Sequence, residues 1–588
     1  MKLSFSIIQN EFIRISGENL SSQVKDFFYE EFDRRFKEQE LLIQTPVFMT
    51  SLNNINAFLV RENIQPELSE EFVSFINLSP SYEHAVETED VASEKIMKKI
   101  QDEGFTRTPT KDQLKNLKKL CSKKAAASFS VPGAGKTTEA LAFYAFHKLN
   151  KNTPLLVISP PSAFISWEDE IVKCFSGNPT ISRLRGTPLQ VKEKLKENPQ
   201  HLIINYDSLR NIEKFDLIKN FILENNDLVV VLDESHKSKG ESISEIIGKF
   251  APYINFKMIL TGTPMPQAPS DLRSQFNFLY PSEHIISDES LIEKFEPLFV
   301  RTTKEDLGLM KPIYNVIKVE PYPAFKLFFD EYFVRNLELG SSLEDILSVK
   351  SFKKAVLRFI KLLSNPTLCE DDIFNLDPGL VNRISAEGDG AKMDAVINRA
   401  KELIADGEKV LIWSSFVDNV EIIAQRFGSQ AEFIHGGVPI GSDDDMIDTY
   451  DTRDQKIRRF KEDPKCMVLV ANPAAAAESI SLHEHCNHAL YLDRTYNAGQ
   501  FLQSQDRIHR LISKDKEQQK YIDIFVMDIP WCVDWKVHDA LNRKIDNMAA
   551  FLNDPSLQSL EGFDTDLDVI SSENPMTKED EEEFYNYE

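Results

Sequence analysis

The chain has 588 residues, of which 42% are hydrophobic and 27% are charged, and its formal net charge is −25. This length is too great for a single core and predicts about three or four domains, while the composition is typical of a soluble globular protein. The negative charge argues against a simple basic nucleic-acid-binding protein, although it leaves room for a motor that confines positive charge to one cleft.

The apolar runs and the cysteines indicate where in the cell the protein is located. No apolar run approaches the roughly 20 residues that a membrane span needs, and the first residues lack the apolar core of a secretion signal. The 6 cysteines are scattered without a C-x-x-C pair, which favours neither a disulfide framework nor a zinc ribbon. We therefore predict a cytoplasmic or nucleoid-associated protein without a membrane partner.

Residues 1–100 contain no motif that indicates a function. Residues 24–37 (VKDFFYEEFDRRFK) predict an amphipathic helix whose phenylalanines pack in a core. Residues 79–94 are polar and acidic, as in a linker. We predict an accessory domain here, through which protein partners could bind.

The sequence SFSVPGAGKTTEA (residues 128–140) ends like a phosphate-binding loop. Two glycines would let backbone N–H groups close around phosphate oxygens, a lysine would supply positive charge, and a threonine hydroxyl can ligate magnesium. The helix that follows would point its positive end at the same anion. Ser130 departs from the pattern, because a glycine is usual there. The predicted ATP-binding residues of this loop are Gly133, Ala134, Gly135, Lys136, Thr137 and Thr138, with Thr137 also a magnesium ligand.

Short apolar runs typical of buried parallel strands follow the loop, and each ends in a turn. Ligands of open α/β sheets bind at such strand ends. LLVIS ends in Ser159 and Pro160, and HLIIN is followed by Tyr206. We predict that these three residues contact nucleic acid.

The third run, LVVVL, delivers Asp233-Glu234-Ser235-His236. Asp233 could hold magnesium through water, and Glu234 could polarise the attacking water. His236 would couple the nucleotide to the neighbouring domain. A fourth run, FKMIL, precedes Thr261 and Thr263, whose hydroxyls could relay the nucleotide state to a bound strand.

In this order, the motifs resemble those of a superfamily II helicase of the Swi/Snf branch. SAFISWEDEI resembles the branch's n-W-x-x-E element through Trp167, and Asn205-Tyr206 resembles its strand ending in s-Y. Lys239 lies where the branch has DEAH-x-x-K-N, with Gly240 replacing the asparagine. The resemblance also implies that Gln113, ahead of the loop, reads the adenine edge.

The second half repeats the alternation of strand and turn. Ser415 follows the run KVLIW and is a predicted nucleic-acid contact. Residues 503–510 (QSQDRIHR) resemble the family's Q-A-x-D-R-x-x-R motif. The resemblance implies that Gln503 couples the two lobes. It also implies that Arg507 and Arg510 share one helical face, as solvent-facing fingers for a γ-phosphate held by the other domain.

Three stretches depart from the family pattern: an alanine-rich turn (474–479), an acidic insertion (441–451) and Leu511-Ile512 in place of Gly-Gln. HEHCNH (483–488) would suit zinc, but it falls at a helix-to-strand turn and no matching cysteine pair lies elsewhere.

The resemblance spans about residues 105–550 and implies an α/β fold with two RecA-like parallel-sheet motor domains, helical insertions and an N-terminal accessory domain. Helices are predicted at residues 325–339 and 352–363. The predicted segments are an accessory domain (1–100), a first RecA-like ATP-binding domain (101–312), a helical protrusion and linker (313–390), a second RecA-like domain with a brace helix (391–552) and a disordered acidic tail (553–588).

The implied function is that of an ATP-dependent nucleic-acid motor that uses ATP and magnesium. We predict a DNA-stimulated translocase on duplex DNA that displaces or remodels bound partners, in phage defence, DNA repair or transcription recycling. Three alternatives stay open: a strand-separating DNA or RNA helicase, a regulatory ATP-binding module without turnover, and the motor subunit of a restriction or defence complex.

Overall fold

The structure is a computed structural model, which describes residues 2–239, 241–283, 285–330, 349–369, 378–439, 452–476, 480–511, 518–529 and 532–557. The chain divides into two compact units, Met1–Asp306 and Leu307–Glu588. Several stretches singled out above lie outside the described residues: Gly240, residues 331–339 of the predicted helix at 325–339, the acidic insertion, residues 477–479 of the alanine-rich turn, Ile512 and the tail from residue 558.

A small sheet with four helices begins the first unit. Its strands are β1 (Lys2–Ile8), β2 (Phe12–Glu18), β3 (Glu40–Gln44) and β4 (Glu67–Leu68), in the order β3-β2-β1-β4. Its helices are α1 (Ser22–Phe32), α2 (Thr45–Thr50), α3 (Leu52–Arg61) and α4 (Glu70–Leu78). The helix predicted at 24–37 is α1, but it ends earlier, because Asp33 adopts a φ of 49° and donates its N–H to Tyr29 O.

Seven parallel strands form the central sheet of the first unit, in the order β11-β5-β10-β9-β6-β8-β7. They are β5 (Ala125–Ser128), β6 (Leu155–Ile158), β7 (Ile181–Arg183), β8 (His201–Ile204), β9 (Val229–Asp233), β10 (Phe256–Leu260) and β11 (Phe299–Val300). The apolar runs become strands because helices cover both faces, so that every residue of β5, β6, β8 and β10 is buried.

Three further helices precede β5, and one or two helices connect each later pair of successive strands, as parallel strands require. These helices are α5 (Tyr82–Glu87), α6 (Ser93–Asp102), α7 (Lys111–Leu120), α8 (Lys136–His147), α9 (Phe164–Cys174), α10 (Pro188–Lys196), α11 (Ile212–Glu224), α12 (Glu241–Phe250), α13 (Leu272–Leu279) and α14 (Asp288–Phe295).

The second unit has a six-stranded parallel sheet in the order β12-β17-β16-β13-β15-β14. Its strands are β12 (Ile313–Val319), β13 (Val410–Trp413), β14 (Ala431–Ile434), β15 (Val468–Ala471), β16 (His488–Tyr491) and β17 (Tyr521–Met527). The prediction of an α/β fold with two RecA-like parallel sheets is confirmed. However, β12 lies in the segment expected to be helical, because it pairs with β17 over its whole length.

The helices described in the second unit include two near the predicted positions 325–339 and 352–363, and a long one after β17. They are α15 (Pro323–Phe329), α16 (Val349–Ser364), α17 (Pro378–Ala386), α18 (Ala391–Ala405), α19 (Val417–Phe427), α20 (Arg453–Glu462), α21 (Pro473–Ala476), α22 (Ala498–Gln505) and α23 (Val533–Leu552). A buried ion pair, Lys392 Nζ to Asp534 Oδ2 at 2.7 Å, ties α23 to α18. No helix among the described residues has the length and apolar character needed to span a membrane.

Candidate active site

In the loop between β5 and α8, two glycines adopt backbone conformations that other residues rarely adopt. Gly133 and Gly135 have φ values of 89° and 85°, in the left-handed region that favours glycine. A Cβ at Gly135 would also overlap the side-chain amide of Gln113. Because α8 begins at Lys136, its first-turn N–H groups lack helical partners and are suited to an anion.

Ser130 ties this loop to the strand at the sheet edge. Its side chain is fully buried, and its Oγ accepts the Thr302 N–H at 3.0 Å. Its carbonyl oxygen accepts a hydrogen bond from Lys136 Nζ at 2.8 Å. The departure from glycine is therefore explained by a side-chain bond that glycine could not make.

Glu139 lies beneath the loop and was missed by sequence reasoning. Its Oε1 accepts from Asn116 Nδ2 at 2.7 Å, and its Oε2 accepts from Ser128 Oγ at 2.8 Å. Burial raises the pKa of this carboxyl to about 7, against the opposing effects of the two hydrogen bonds and of nearby Lys136. The available signal was one acidic residue within the apolar helix sequence TTEALAFYAF.

The side chain of Gln113 is bound at both ends within the first unit. It forms a capping box with Thr110, whose N–H donates to Gln113 Oε1 at 2.9 Å. Gln113 Nε2 donates to Gly135 O at 3.3 Å. Gln113 therefore braces the loop in this structure, and recognition of adenine by its side chain stays a prediction.

Asp233 is held on both carboxylate oxygens and on its main chain. Trp167 Nε1 donates to its Oδ2 at 2.8 Å, and the Glu234 N–H donates to its Oδ1 at 3.0 Å. Tyr206 donates its hydroxyl to the Asp233 carbonyl at 2.9 Å. Burial, followed by the neighbouring Glu234 carboxylate, raises the pKa of Asp233 to about 6.

Glu234 has a φ of 50°, which is uncommon for a residue other than glycine. Its Oε2 lies 3.4 Å from both Thr261 Oγ1 and His236 Nδ1. His236 Nδ1 in turn lies 2.9 Å from Thr261 Oγ1, which accepts the Thr263 N–H at 3.1 Å. The structure thus brings together four residues predicted for hydrolysis and coupling, and strained backbone of this kind is concentrated at functional sites.

Thr138 and Thr137 differ in their environments. Thr138 is buried, and its hydroxyl donates to Glu170 Oε1, which also accepts from Arg107 Nη1 at 2.5 Å. Thr137 is only partly buried, in the first turn of α8. Of the two hydroxyls, that of Thr137 suits a ligand better.

The predicted nucleic-acid contacts are largely covered. Ser159, Pro160 and Tyr206 are buried, and Ser415 donates its N–H to Asp493 Oδ1 at 2.7 Å. In the turn after β6, the exposed residues are the next two in sequence, Pro161 and Ser162. Contact of nucleic acid with the four named residues stays a prediction.

The arginine motif of the second unit differs from its expected form. Helix α22 ends at Gln505, so Arg507 and Arg510 do not share one helical face, because the chain turns after Asp506. Arg507 is only 5% exposed rather than solvent-facing. Its Nε donates to Gln503 O at 2.9 Å and its Nη1 to Ile480 O at 3.1 Å, while Arg510 Nε donates to Asp506 O at 2.7 Å.

The histidine-rich turn at 483–488 is organised around a lysine. Lys520 Nζ donates to the carbonyl oxygens of His483 and Cys486 and to Asn487 Oδ1, at 2.7 to 2.9 Å. Within the described ranges, no group of three or more His, Cys, Asp or Glu residues is placed to hold a metal ion.

Two family models match the chain, one mostly within the first unit and one within the second. Residues 130–319 match the SNF2-related domain, and residues 392–512 match the helicase conserved C-terminal domain. The chain belongs to the Swi/Snf-type branch of the superfamily II helicases. Its two matched domains are those of an ATP hydrolase of the helicase type.

Curated relatives share about a quarter of the aligned residues. An uncharacterized ATP-dependent helicase of Mycoplasma pneumoniae is 25% identical over 411 residues, which cover 66% of this chain and 36% of that protein. ATP-dependent helicase FUN30 of Saccharomyces cerevisiae is 22% identical over 548 residues, which cover 76% of this chain and 47% of that protein. Human chromodomain-helicase-DNA-binding protein 7 is 24% identical over 416 residues, which cover 64% of this chain and 14% of that protein. The chain thus spans about a third of the first of these relatives and less than half of the others.

Solved structures similar to this chain include two archaeal proteins. The SWI2/SNF2 ATPase core of Sulfolobus solfataricus in complex with dsDNA has a TM-score of 0.32 and 18% identity, covering 77% of this chain and 94% of that one. The Hef helicase domain of Pyrococcus furiosus has a TM-score of 0.43 and 13% identity, covering 73% and 97%.

Proposed function

We propose that this protein is an ATP-dependent motor that translocates along duplex DNA and displaces or remodels what is bound there. The observation that carries the proposal is the cluster of Glu234, His236 and Thr261 beside the phosphate loop, within the sequence that matches the SNF2-related domain. The three relatives described above are named for DNA binding or as ATP-dependent helicases, which supports a nucleic-acid substrate.

The loop residues account for binding of ATP. The N–H groups at the start of α8 and the backbone around Gly133 and Gly135 would hold phosphate oxygens. Lys136 now donates to a main-chain carbonyl, a contact that its flexible side chain can exchange for phosphate oxygens. Gln113 would keep the loop in shape through its bond to Gly135 O.

Glu234 accounts for activation of water. Its carboxylate is anchored through Oε2 by Thr261 and His236, so the other oxygen can accept a hydrogen bond from an attacking water. Thr261 is buried, whereas the Glu234 side chain is 32% exposed, which leaves room for a water beside the carboxylate. Thr263 and His236 link the same carboxylate to the loop after β10, which gives the hydrolytic step a route to moving segments.

Magnesium would be held by the Asp233 carboxylate, through water, and by the Thr137 hydroxyl. The donor set fits, since both ligands are hard oxygen donors and magnesium usually needs only one or two protein ligands besides phosphate and water. When bound, the ion would neutralise charge on the phosphates. Asp233 is already oriented for this role by Trp167 and by the Glu234 N–H.

The remaining predictions are part of this proposal. They are the five-segment division of the chain, a protein partner for residues 1–100, a role of Arg507, Arg510 and Gln503 in hydrolysis and coupling, and a cytoplasmic or nucleoid-associated location.

ATP turnover with no nucleic acid, single-stranded DNA, duplex DNA or RNA tests the proposal. We expect duplex DNA to raise turnover most, and the stimulation to fall steeply as salt rises, because phosphate contacts release counterions. Stimulation by RNA alone would contradict the proposal and favour an RNA helicase. Release of a labelled strand from the duplex would favour strand separation over translocation, and absence of turnover would favour a regulatory ATP-binding module.

A further inference from the structure

Helix α9 contacts both halves of the proposed ATP site. Trp167 and Glu170 lie three residues apart, so they share a face of the helix. Trp167 Nε1 donates to Asp233 Oδ2 at 2.8 Å, and Glu170 Oε1 accepts from the Thr138 hydroxyl in the first turn of α8. One helix therefore supports the proposed magnesium-binding carboxylate and the helix of the phosphate loop.

The bond from Trp167 fixes the orientation of Asp233. An indole N–H can only donate, and Trp167 is 1% exposed, so water cannot readily replace its acceptor. The second oxygen of Asp233 is held by the Glu234 N–H at 3.0 Å. With both oxygens bonded, rotation of the carboxylate would leave a buried donor unsatisfied.

The other end of α9 leads to an exposed turn. Strand β6 ends at Ile158, and Pro161–Ala163 form one 3-10 turn that runs directly into α9. Pro161 and Ser162 are exposed in this turn. The consecutive prolines 160 and 161 restrict the backbone, so a displacement of the turn would be transmitted to the helix.

Strand β8, the neighbour of β6, provides a second support. Tyr206 follows β8, is 6% exposed and donates its hydroxyl to the Asp233 carbonyl at 2.9 Å. Two adjacent strand ends on the proposed nucleic-acid side thus each reach Asp233.

We propose that Trp167 and Glu170 of α9 are positioning residues that couple the turn at 159–163 to the ATP site, so that DNA bound at that turn sets the geometry of Asp233 and Thr138. Neither residue touches the nucleotide or the metal in this account, and each acts through its partner. The coupling to DNA rests on the proposed function, whereas the positioning of Asp233 does not.

The first experiment measures binding of manganese to the full chain in the presence of a non-hydrolysable ATP analogue, by electron paramagnetic resonance. Trp167→Phe keeps the aromatic packing but removes the N–H. We expect its manganese affinity to fall by about 10-fold or more, as for other groups that orient metal ligands. Nucleotide affinity in EDTA and the melting temperature should stay close to the wild-type values.

Trp413→Phe is the matched control. Trp413 is likewise fully buried, but its Nε1 has no hydrogen-bond partner among the described residues. Manganese affinity should be unchanged in this variant. An unchanged affinity in Trp167→Phe, or an equal loss in Trp413→Phe, would overturn the positioning role. Should Trp167→Phe fail to fold, Tyr206→Phe tests the same support of Asp233 by the same measurement, and an unchanged affinity there would overturn it.

The second experiment compares ATP turnover with and without duplex DNA. In Glu170→Gln we expect the ratio of stimulated to unstimulated turnover to fall by about fivefold or more, the scale of an ordinary coupling between sites. An unchanged ratio would overturn the coupling. If duplex DNA fails to stimulate the wild type, the proposed function fails together with the coupling, while the manganese measurement, which contains no DNA, still decides whether α9 positions Asp233.

Discussion

The two parallel sheets share an architecture but differ in what their polar residues do. In the first unit, Asp233 and Glu234 lie where β9 ends, and the backbone of Glu234 is strained. In the second unit, Arg507 is buried and donates to two main-chain carbonyls, and Asp493 accepts a hydrogen bond from Ser414 Oγ at 2.6 Å. The polar side chains at the end of β9 are therefore placed for a reaction. Those named in the second unit make hydrogen bonds that stabilise the unit itself. We therefore expect substitutions of these residues in the first unit to change mainly turnover. Substitutions in the second unit should change stability as well.

Within the second unit, the largest expected effect on turnover is that of substituting Arg510, which is less buried than Arg507. An arginine finger contributes roughly 10³–10⁵ in rate. Arg510→Ala should lower DNA-stimulated turnover on that scale, with nucleotide affinity within about tenfold of wild type. Turnover and affinity are measured on the same preparation. Near-normal turnover would assign Arg510 to structure, and near-normal turnover in Arg507→Ala as well would remove the second unit from the catalytic step.

Lys136→Ala should weaken nucleotide binding and lower turnover by about 10²–10³-fold, the scale of losing one strong electrostatic contact in the transition state. We expect the melting temperature to change less than turnover does, because Lys136 Nζ bonds to the exchangeable main-chain carbonyl of Ser130. Exposed Lys124, just before β5, provides the matched control as Lys124→Ala. Equal binding by both variants would show that the phosphate site lies elsewhere.

Glu139 should make the first unit less stable as pH rises. Burial raises its folded-state pKa from 4.5 to about 7, so the folded chain holds a proton that the unfolded chain loses between these values. Each pKa unit corresponds to about 1.4 kcal/mol. Glu139→Gln stays neutral, so its free energy of unfolding relative to wild type should increase from pH 5 to pH 8.

Denaturant unfolding at both pH values measures this difference, with Glu245→Gln on the exposed surface of α12 as the control. A difference that does not vary with pH would mean that Glu139 is ionised in the folded chain throughout this range.

The smallest expected effect is a difference in stability between Arg507→Ala and Arg510→Ala. Arg507→Ala removes a buried side chain and leaves the carbonyls of Gln503 and Ile480 without their donor, which costs about 1–3 kcal/mol. Arg510→Ala should cost less, because its side chain is only partly buried. Thermal unfolding of both variants checks the order. Equal melting temperatures would contradict the larger contribution of Arg507 to stability.

Local patterns were sufficient to predict the central strands of the two parallel sheets and the main motifs. Continuous apolar runs such as LVVVL and FKMIL predict buried parallel strands, and Gly133 and Gly135 predict a loop that closes around phosphate. The end of β9 at Asp233 follows from the same run. These features depend on residues that are adjacent in sequence.

Features that depend on distant partners were not predictable in the same way. Strand β12 exists because β17, about 200 residues later, pairs with it. The partner of Trp167 lies 66 residues away, and the burial of Arg507 depends on Ile480, 27 residues away. The end of α22 at Gln505 likewise reflects a turn fixed by tertiary contacts, including the Leu482 N–H to Arg507 O at 2.8 Å. Spacing within a motif carries no information on such contacts.

The most direct test of the central claim is ATP turnover of the wild type and of Glu234→Gln, each with and without duplex DNA. Glutamine keeps the size of Glu234 and can still contact Thr261, but it cannot act as a base for the attacking water. We predict that duplex DNA raises turnover in the wild type, and that Glu234→Gln binds ATP normally without measurable turnover in either condition. Turnover in Glu234→Gln at the wild-type rate would contradict this mechanism. So would a wild-type turnover that is the same with and without duplex DNA.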